Sequence, residues 1–89
     1  MTKLTVELYA TLRELTGQKK LELDFTPGEK VEDVLKRLVE KFPDLKEVLF
    51  KEGKVNPGIR IYSQERTLKP DDKLREGETL KVFPPLAGG

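Results

Sequence analysis

The chain has 89 residues and a mass of 10.2 kDa, which is room for one small domain and not for two domains with a cleft between them. Its 17 Lys and Arg nearly cancel 16 Asp and Glu, and a net charge of +1 points to no direct nucleic-acid partner and no anionic membrane. With no Cys and no His, the sequence offers no thiol or imidazole nucleophile, no disulfide, and no zinc, haem or iron-sulfur ligation, so most familiar side-chain catalysis is excluded.

Leu4, Val6, Leu8 and Ala10 alternate with Thr5, Glu7 and Tyr9, the period of a strand with one buried face. Leu12 and Leu15, three apart, predict a helical turn over Thr11–Thr16 before Gly17, whose missing Cβ suits a reversal. Leu21, Leu23 and Phe25 alternate with Glu22 and Asp24 as a second strand, and Gly17–Lys20 is expected to close an antiparallel hairpin. Pro27-Gly28 breaks that strand, and Val31, Val34, Leu35, Leu38 and Phe42 then recur at helical spacing. Glu29, Glu32 and Asp33 crowd the start of this main helix, with Lys36, Arg37 and Lys41 further on, the order its dipole favours, and Pro43 ends it. Lys30 stands at the N-cap, where Ser, Thr or Asp would accept a bond from the first turn, at an expected cost of about 1 kcal/mol.

Leu45, Val48 and Leu49 predict a second, shorter helix, and Lys51–Pro57 a polar loop around Gly53. Ile59 and Ile61 alternate with Arg60 and Tyr62 as a third strand, turned by Ser63–Glu65. A short strand at Arg66–Leu68 and a turn at Pro70-Asp71-Asp72 lead to a last strand, Thr79–Phe83, with Leu80 and Val82 inward. The order predicts an α+β fold, a mixed sheet of four to five strands with one main helix packed across it. No apolar run nears the roughly 20 residues of a membrane span, and Met1-Thr2-Lys3-Leu4 lacks a signal-like apolar stretch, so a cytoplasmic location is expected. Abundant Lys and Glu, with only Gln18, Gln64 and Asn56 as amides, lean towards a thermophilic source.

The most informative segment is the ending, Phe83-Pro84-Pro85-Leu86-Ala87-Gly88-Gly89. Two terminal glycines arise by chance in roughly 0.5% of chains at average usage. A carboxylate flanked by residues without Cβ fits a narrow channel into another protein's active site. Six residues from Pro84 extend at most about 20 Å, enough to place that carboxylate in a partner while the domain stays outside. Pro84-Pro85 fixes two φ angles and favours an extended departure from the last strand. The carboxylate is an anion at neutral pH and a poor acyl donor until an ATP-using partner adenylates it.

That ending, with Ala10-Thr11-Leu12-Arg13-Glu14-Leu15-Thr16-Gly17 and the Pro27-Gly28 step before the helix, resembles the small subunits of molybdopterin synthase, a ubiquitin-like sulfur-carrier family. The resemblance covers nearly the whole chain and departs from it at Tyr62-Ser63-Gln64-Glu65-Arg66, where many relatives have Val-Asn-Gly-Arg, and at Leu86, commonly Val. It implies the β-grasp fold of ubiquitin over residues 1–83, with residues 84–89 as an extended tail. It also implies that a ubiquitin-activating-type enzyme, which itself binds the ATP, adenylates Gly89, and that the product becomes a thiocarboxylate. Gly88 gives access, no cofactor is bound by the chain, and the large subunit of molybdopterin synthase receives the tail in molybdenum cofactor biosynthesis. Related carriers with the same ending thiolate transfer RNA or become attached to lysines of target proteins, and these stand as the alternatives, ahead of a noncatalytic adaptor.

Period two turns Thr79, Lys81 and Phe83 away from the helix and leaves an exposed aromatic ring just before the tail. In the implied β-grasp sheet the first and last strands are neighbours, which brings Tyr9 to the same end as Phe83, with Arg60 on the other side. Phe83, Pro84, Pro85, Leu86 and Ala87, together with Tyr9, Arg60 and Lys81, are therefore the expected partner-binding residues. Tyr62 reads as ordinary strand propensity, Asp71-Asp72 as a turn and not a metal pair, and Lys19-Lys20 as a solvated turn. No Gly-rich phosphate-binding spacing occurs, which again assigns ATP to the partner.

Overall fold

In the computed structural model, which describes residues 2–85, the period-two segments become strands of one sheet. β1 (Thr2–Leu8) buries Leu4, Val6 and Leu8 and pairs antiparallel with β2 (Lys20–Phe25), Glu7 opposite Lys20. On its other side β1 runs parallel to β6 (Thr79–Phe83), Leu8 opposite Val82. β6 in turn pairs antiparallel with β5 (Arg60–Tyr62), Ile61 opposite Val82. The resulting order, β2-β1-β6-β5, has its parallel pair in the centre. Val31, Val34, Leu35 and Leu38 of α2 (Val31–Lys41) join Leu4, Val6, Leu8, Phe25, Leu80 and Val82 in the core, so the helix lies across one face. This is the β-grasp arrangement.

The helix starts without the expected penalty at Lys30. Its first free N–H groups are taken by a tertiary neighbour: Val31 donates to the Asp72 carbonyl at 3.0 Å and Glu32 to that of Pro70 at 2.9 Å. The Lys30 N–H itself donates to the Asp33 carboxylate at 3.3 Å. The accepting turn is fixed in its own right, since the Asp72 carboxylate accepts the Lys69 N–H at 2.7 Å. Arg37 pairs with Glu29 and donates to the Asp24 carbonyl at 2.7 Å, which ties the helix back to the end of β2.

Three elements differ from the sequence reading. Ala10 does not continue the inward row of β1, because the strand ends at Leu8 and Ala10 is exposed with φ 51° at the entry to α1 (Thr11–Thr16). The β1–β2 connection is as read, since Gly17–Lys20 returns the chain into the antiparallel pair. It carries α1, which buries Leu12 and ends where Gly17 takes φ 71°. The polar loop at Lys51–Pro57 contains a second, two-stranded sheet, β3 (Phe50–Lys51) and β4 (Lys54–Val55), turned by Glu52 and Gly53 at φ 53° and 78°. It follows a 3-10 turn (Pro43–Leu45) and α3 (Lys46–Leu49), which bury Leu45 and Leu49. The strand expected at Arg66–Leu68 is reduced to one bridge, Tyr62 opposite Thr67. There the buried Ser63 hydroxyl accepts the N–H groups of Glu65 and Arg66, at 3.3 and 3.2 Å, and curls the chain out of the ladder. The main sheet accordingly has four strands.

Candidate functional site

The pleat of β6 sends Leu80 and Val82 into the core and Lys81 and Phe83 to the opposite face, at the end where the tail departs. The parallel register carries Tyr9 alongside Phe83, and the two rings stack with centroids 4.1 Å apart and planes 9° from parallel. Tyr62, from β5, meets Phe83 edge-on at 5.6 Å. The Phe83 ring is thus half-buried and not the exposed ring expected, because Tyr9 covers one of its faces. The guanidinium of Arg13 lies 4.8 Å from the centroid of Tyr9, and its Nε donates to the Leu8 carbonyl at 2.6 Å. The turn at Ala10 makes that possible by folding α1 back over the end of β1. The Tyr9 hydroxyl donates to the Glu7 carboxylate at 2.7 Å, and this hydrogen bond holds the phenol proton on beyond its ordinary range.

Arg60 lies opposite Phe83, and Lys81 opposite Tyr62 on one side and Glu7 on the other. Three cations, Arg13, Arg60 and Lys81, therefore surround a stacked aromatic centre. Such a surface suits a partner with an apolar patch inside a carboxylate rim. Beside it opens a depression of ≈ 710 Å³ lined by Ala10, Thr11, Arg60, Tyr62, Phe83, Pro84 and Pro85. Neither Pro84 nor Pro85 has an N–H to extend the ladder, and β6 ends at Phe83.

The structure thus gathers Tyr9, Arg60, Lys81, Phe83, Pro84 and Pro85 at one end of the sheet, while Leu86, Ala87, Gly88 and Gly89 lie outside the described residues. Two members of the cluster were missed in the sequence. Tyr62 is two residues from the inward Ile59-to-Ile61 row's outer neighbour Arg60 and shares its face, a signal that pairing with the last strand makes readable. Arg13 is four residues beyond Tyr9, but its approach depends on the backbone at Ala10. Among the described residues no group of three acidic side chains is placed to hold a metal, and no helix is long and apolar enough to cross a membrane.

The ThiS family model matches residues 6–89 of this sequence. The chain belongs to the ThiS family. Within the ThiS family it is 32% identical to small archaeal modifier protein 3 of Haloferax volcanii, over 98% of this chain and 99% of that protein. It is 30% identical to the molybdopterin synthase sulfur carrier subunit of Arabidopsis thaliana, over 98% of this chain and 83% of that one. The crystal structure of SAMP1 from Haloferax volcanii has the same fold, with a TM-score of 0.84 at 26% identity, covering 98% of this chain and 99% of the other. The molecule is therefore a member of the ThiS-type, ubiquitin-like sulfur-carrier family on a β-grasp scaffold.

Proposed function

We propose that this ThiS-family chain works through the carboxylate of Gly89, as the sulfur-carrying small subunit of molybdopterin synthase. The observation that carries the reading is the stacked Tyr9–Phe83 pair, ringed by Arg13, Arg60 and Lys81, at the root of a tail ending in Gly88-Gly89. A ubiquitin-activating-type enzyme docks on that surface, with Pro84, Pro85, Leu86 and Ala87 continuing the contact into its active site. The enzyme binds the ATP; this chain supplies the nucleophile. One Gly89 carboxylate oxygen attacks the α-phosphorus, pyrophosphate leaves, and the carboxylate becomes an acyl adenylate. A sulfur nucleophile then displaces AMP and leaves a thiocarboxylate, which the large subunit of molybdopterin synthase receives as sulfur donor. Gly88 has no Cβ to obstruct the channel. The 30% identity to the Arabidopsis thaliana sulfur carrier subunit supports this destination.

A second destination has an observation of its own. The 32% identity to small archaeal modifier protein 3, end to end, favours displacement of AMP by a lysine amine, which forms an isopeptide with a target protein. The two share the first step and part at the nucleophile. The experiment is intact-mass measurement after incubation with the host's adenylating enzyme, ATP and a sulfur donor, beside a chain lacking Gly89. A mass gain equal to replacing one oxygen by sulfur, absent from the truncation, establishes the sulfur donor. Covalent attachment to other proteins establishes the modifier, and neither product removes both.

A further inference from the structure

We propose that Gly58 is a positioning residue that aims the tail, an inference that rests on the C-terminal activation proposed above. The antiparallel register of β5 and β6 sets Arg60 opposite Phe83. Continued two residues along each chain, it brings Gly58 opposite Pro85. There is no ladder hydrogen bond to hold the chain at this point, since proline has no N–H to give. Packing holds it instead: a Cβ added to Gly58 would lie 3.2 Å from Cβ and 3.5 Å from Cγ of Pro85. The bare Cα of Gly58 is the seat on which the second proline rests.

The other neighbour of that imagined Cβ is Oδ1 of Asn56, at 3.3 Å, and it cannot yield. Its Oδ1 accepts the Gly58 N–H at 2.9 Å, its Nδ2 donates to the Val48 carbonyl at 3.1 Å, and its backbone N–H donates to the Leu49 carbonyl at 2.7 Å. Asn56 thus bolts the Gly58 loop to the end of α3, and a side chain at 58 displaces Pro85 and not the loop. Gly58 does not have the positive φ that would itself demand glycine, since positive values among the described glycines fall at Gly17, Gly28, Gly53 and Gly77. The small residue is explained by what lies against it. A proline pushed off this seat leaves the sheet at a different angle, so a partner seated correctly on Phe83 receives the carboxylate in the wrong place.

The test is a kinetic comparison of Gly58→Ala, Gly58→Val and the unaltered chain as substrates of the adenylating enzyme, followed by pyrophosphate exchange. The expected result is a fall in kcat of a few-fold for Ala, whose Cβ makes Pro85 give by a few tenths of an ångström, and of more than about tenfold for the bulkier Val, since misplacement by a full ångström costs about a hundredfold. KM and the melting temperature stay at the unaltered values. In a Pro85→Gly background, which removes the ring from the seat, Gly58→Ala causes no further loss. Unchanged kcat in both variants overturns the proposal, as does a rise in KM alone, which makes Gly58 part of the docking surface. An additive loss in the Pro85→Gly background also overturns it. An unaltered chain that is itself never adenylated removes the functional reading and this proposal together, an outcome distinct from the others.

Discussion

Phe83 is both a structural ring and the centre of the proposed docking surface, and a substitution there separates two energies. Loss of the Tyr9 stack and the Tyr62 edge contact costs about 1 kcal/mol of stability. Loss of a central aromatic from an interface costs about 2 kcal/mol or more of binding. Phe83→Ala is accordingly expected to weaken docking on the adenylating enzyme at least about thirtyfold, measured by titration calorimetry, while a thermal melt shows a cooperative fold. Ala10 presents the opposite case. At φ 51° and ψ −127° it occupies backbone space that a Cβ disfavours by about 1–3 kcal/mol. Its side chain is exposed, so nothing is lost from the core on removing it. Ala10→Gly is expected to stabilise the protein by about 1 kcal/mol and to raise its melting temperature by about 4–8 °C.

Among the elements, the helix α2 and the strands of the main sheet were legible in the sequence because each buries one face of a regular period. Leu4, Val6 and Leu8 repeat every second residue, and Val31, Val34, Leu35 and Leu38 recur at helical spacing. What was not legible depends on partners remote in sequence. Lys30 is a poor cap on local grounds and is compensated by the carbonyls of Pro70 and Asp72, which no window around residue 30 contains. β3 and β4 are two residues each, too short to show a period. The docking cluster was half legible: Tyr9, Arg60 and Phe83 follow from alternation and strand order, whereas Arg13 follows from a positive φ that a lone alanine does not advertise.

Elements also set the response to acid. Arg66 makes a two-pronged contact with Glu78, at 3.0 and 2.9 Å, and donates to the Lys73 carbonyl at 2.7 Å, which fastens the loop before β6. The Arg66 hydrogen bond holds the Glu78 carboxyl below its ordinary range, and the Arg37 hydrogen bond does the same for Glu29. A carboxylate with a depressed folded-state pKa contributes stability above its unfolded value, near 4.3, and loses that contribution as pH falls through the lower folded value. Urea melts are therefore expected to show flat stability from neutral pH to about 5 and a decline below about 4.3. In Glu78→Gln the protein is less stable at pH 7 and the acid decline is shallower. An equally steep decline would remove Glu78 from the acid response.

At the scale of the whole molecule, the scaffold and the reactive end are separable. Among the described residues the core is closed by members between Leu4 and Val82. Deleting Gly88 and Gly89 is thus expected to leave the thermal melt unchanged and to abolish adenylation, and a variant that loses both would tie the ending to the fold. The parallel pairing of β1 with β6 has one more consequence, in the order of assembly. Thr5 meets Thr79 in the centre of the sheet, so the contact that completes this fold joins two strands more than seventy residues apart. Closing so long a loop is entropically late and makes folding slow relative to a local hairpin. Until β6 inserts, Tyr9 has no Phe83 to stack on, and an activating enzyme that recognises the stacked pair meets it only on finished chains. Under the docking proposed above, the sheet order becomes a proofreading step, in which unfolded copies lack the stacked pair and consume no ATP.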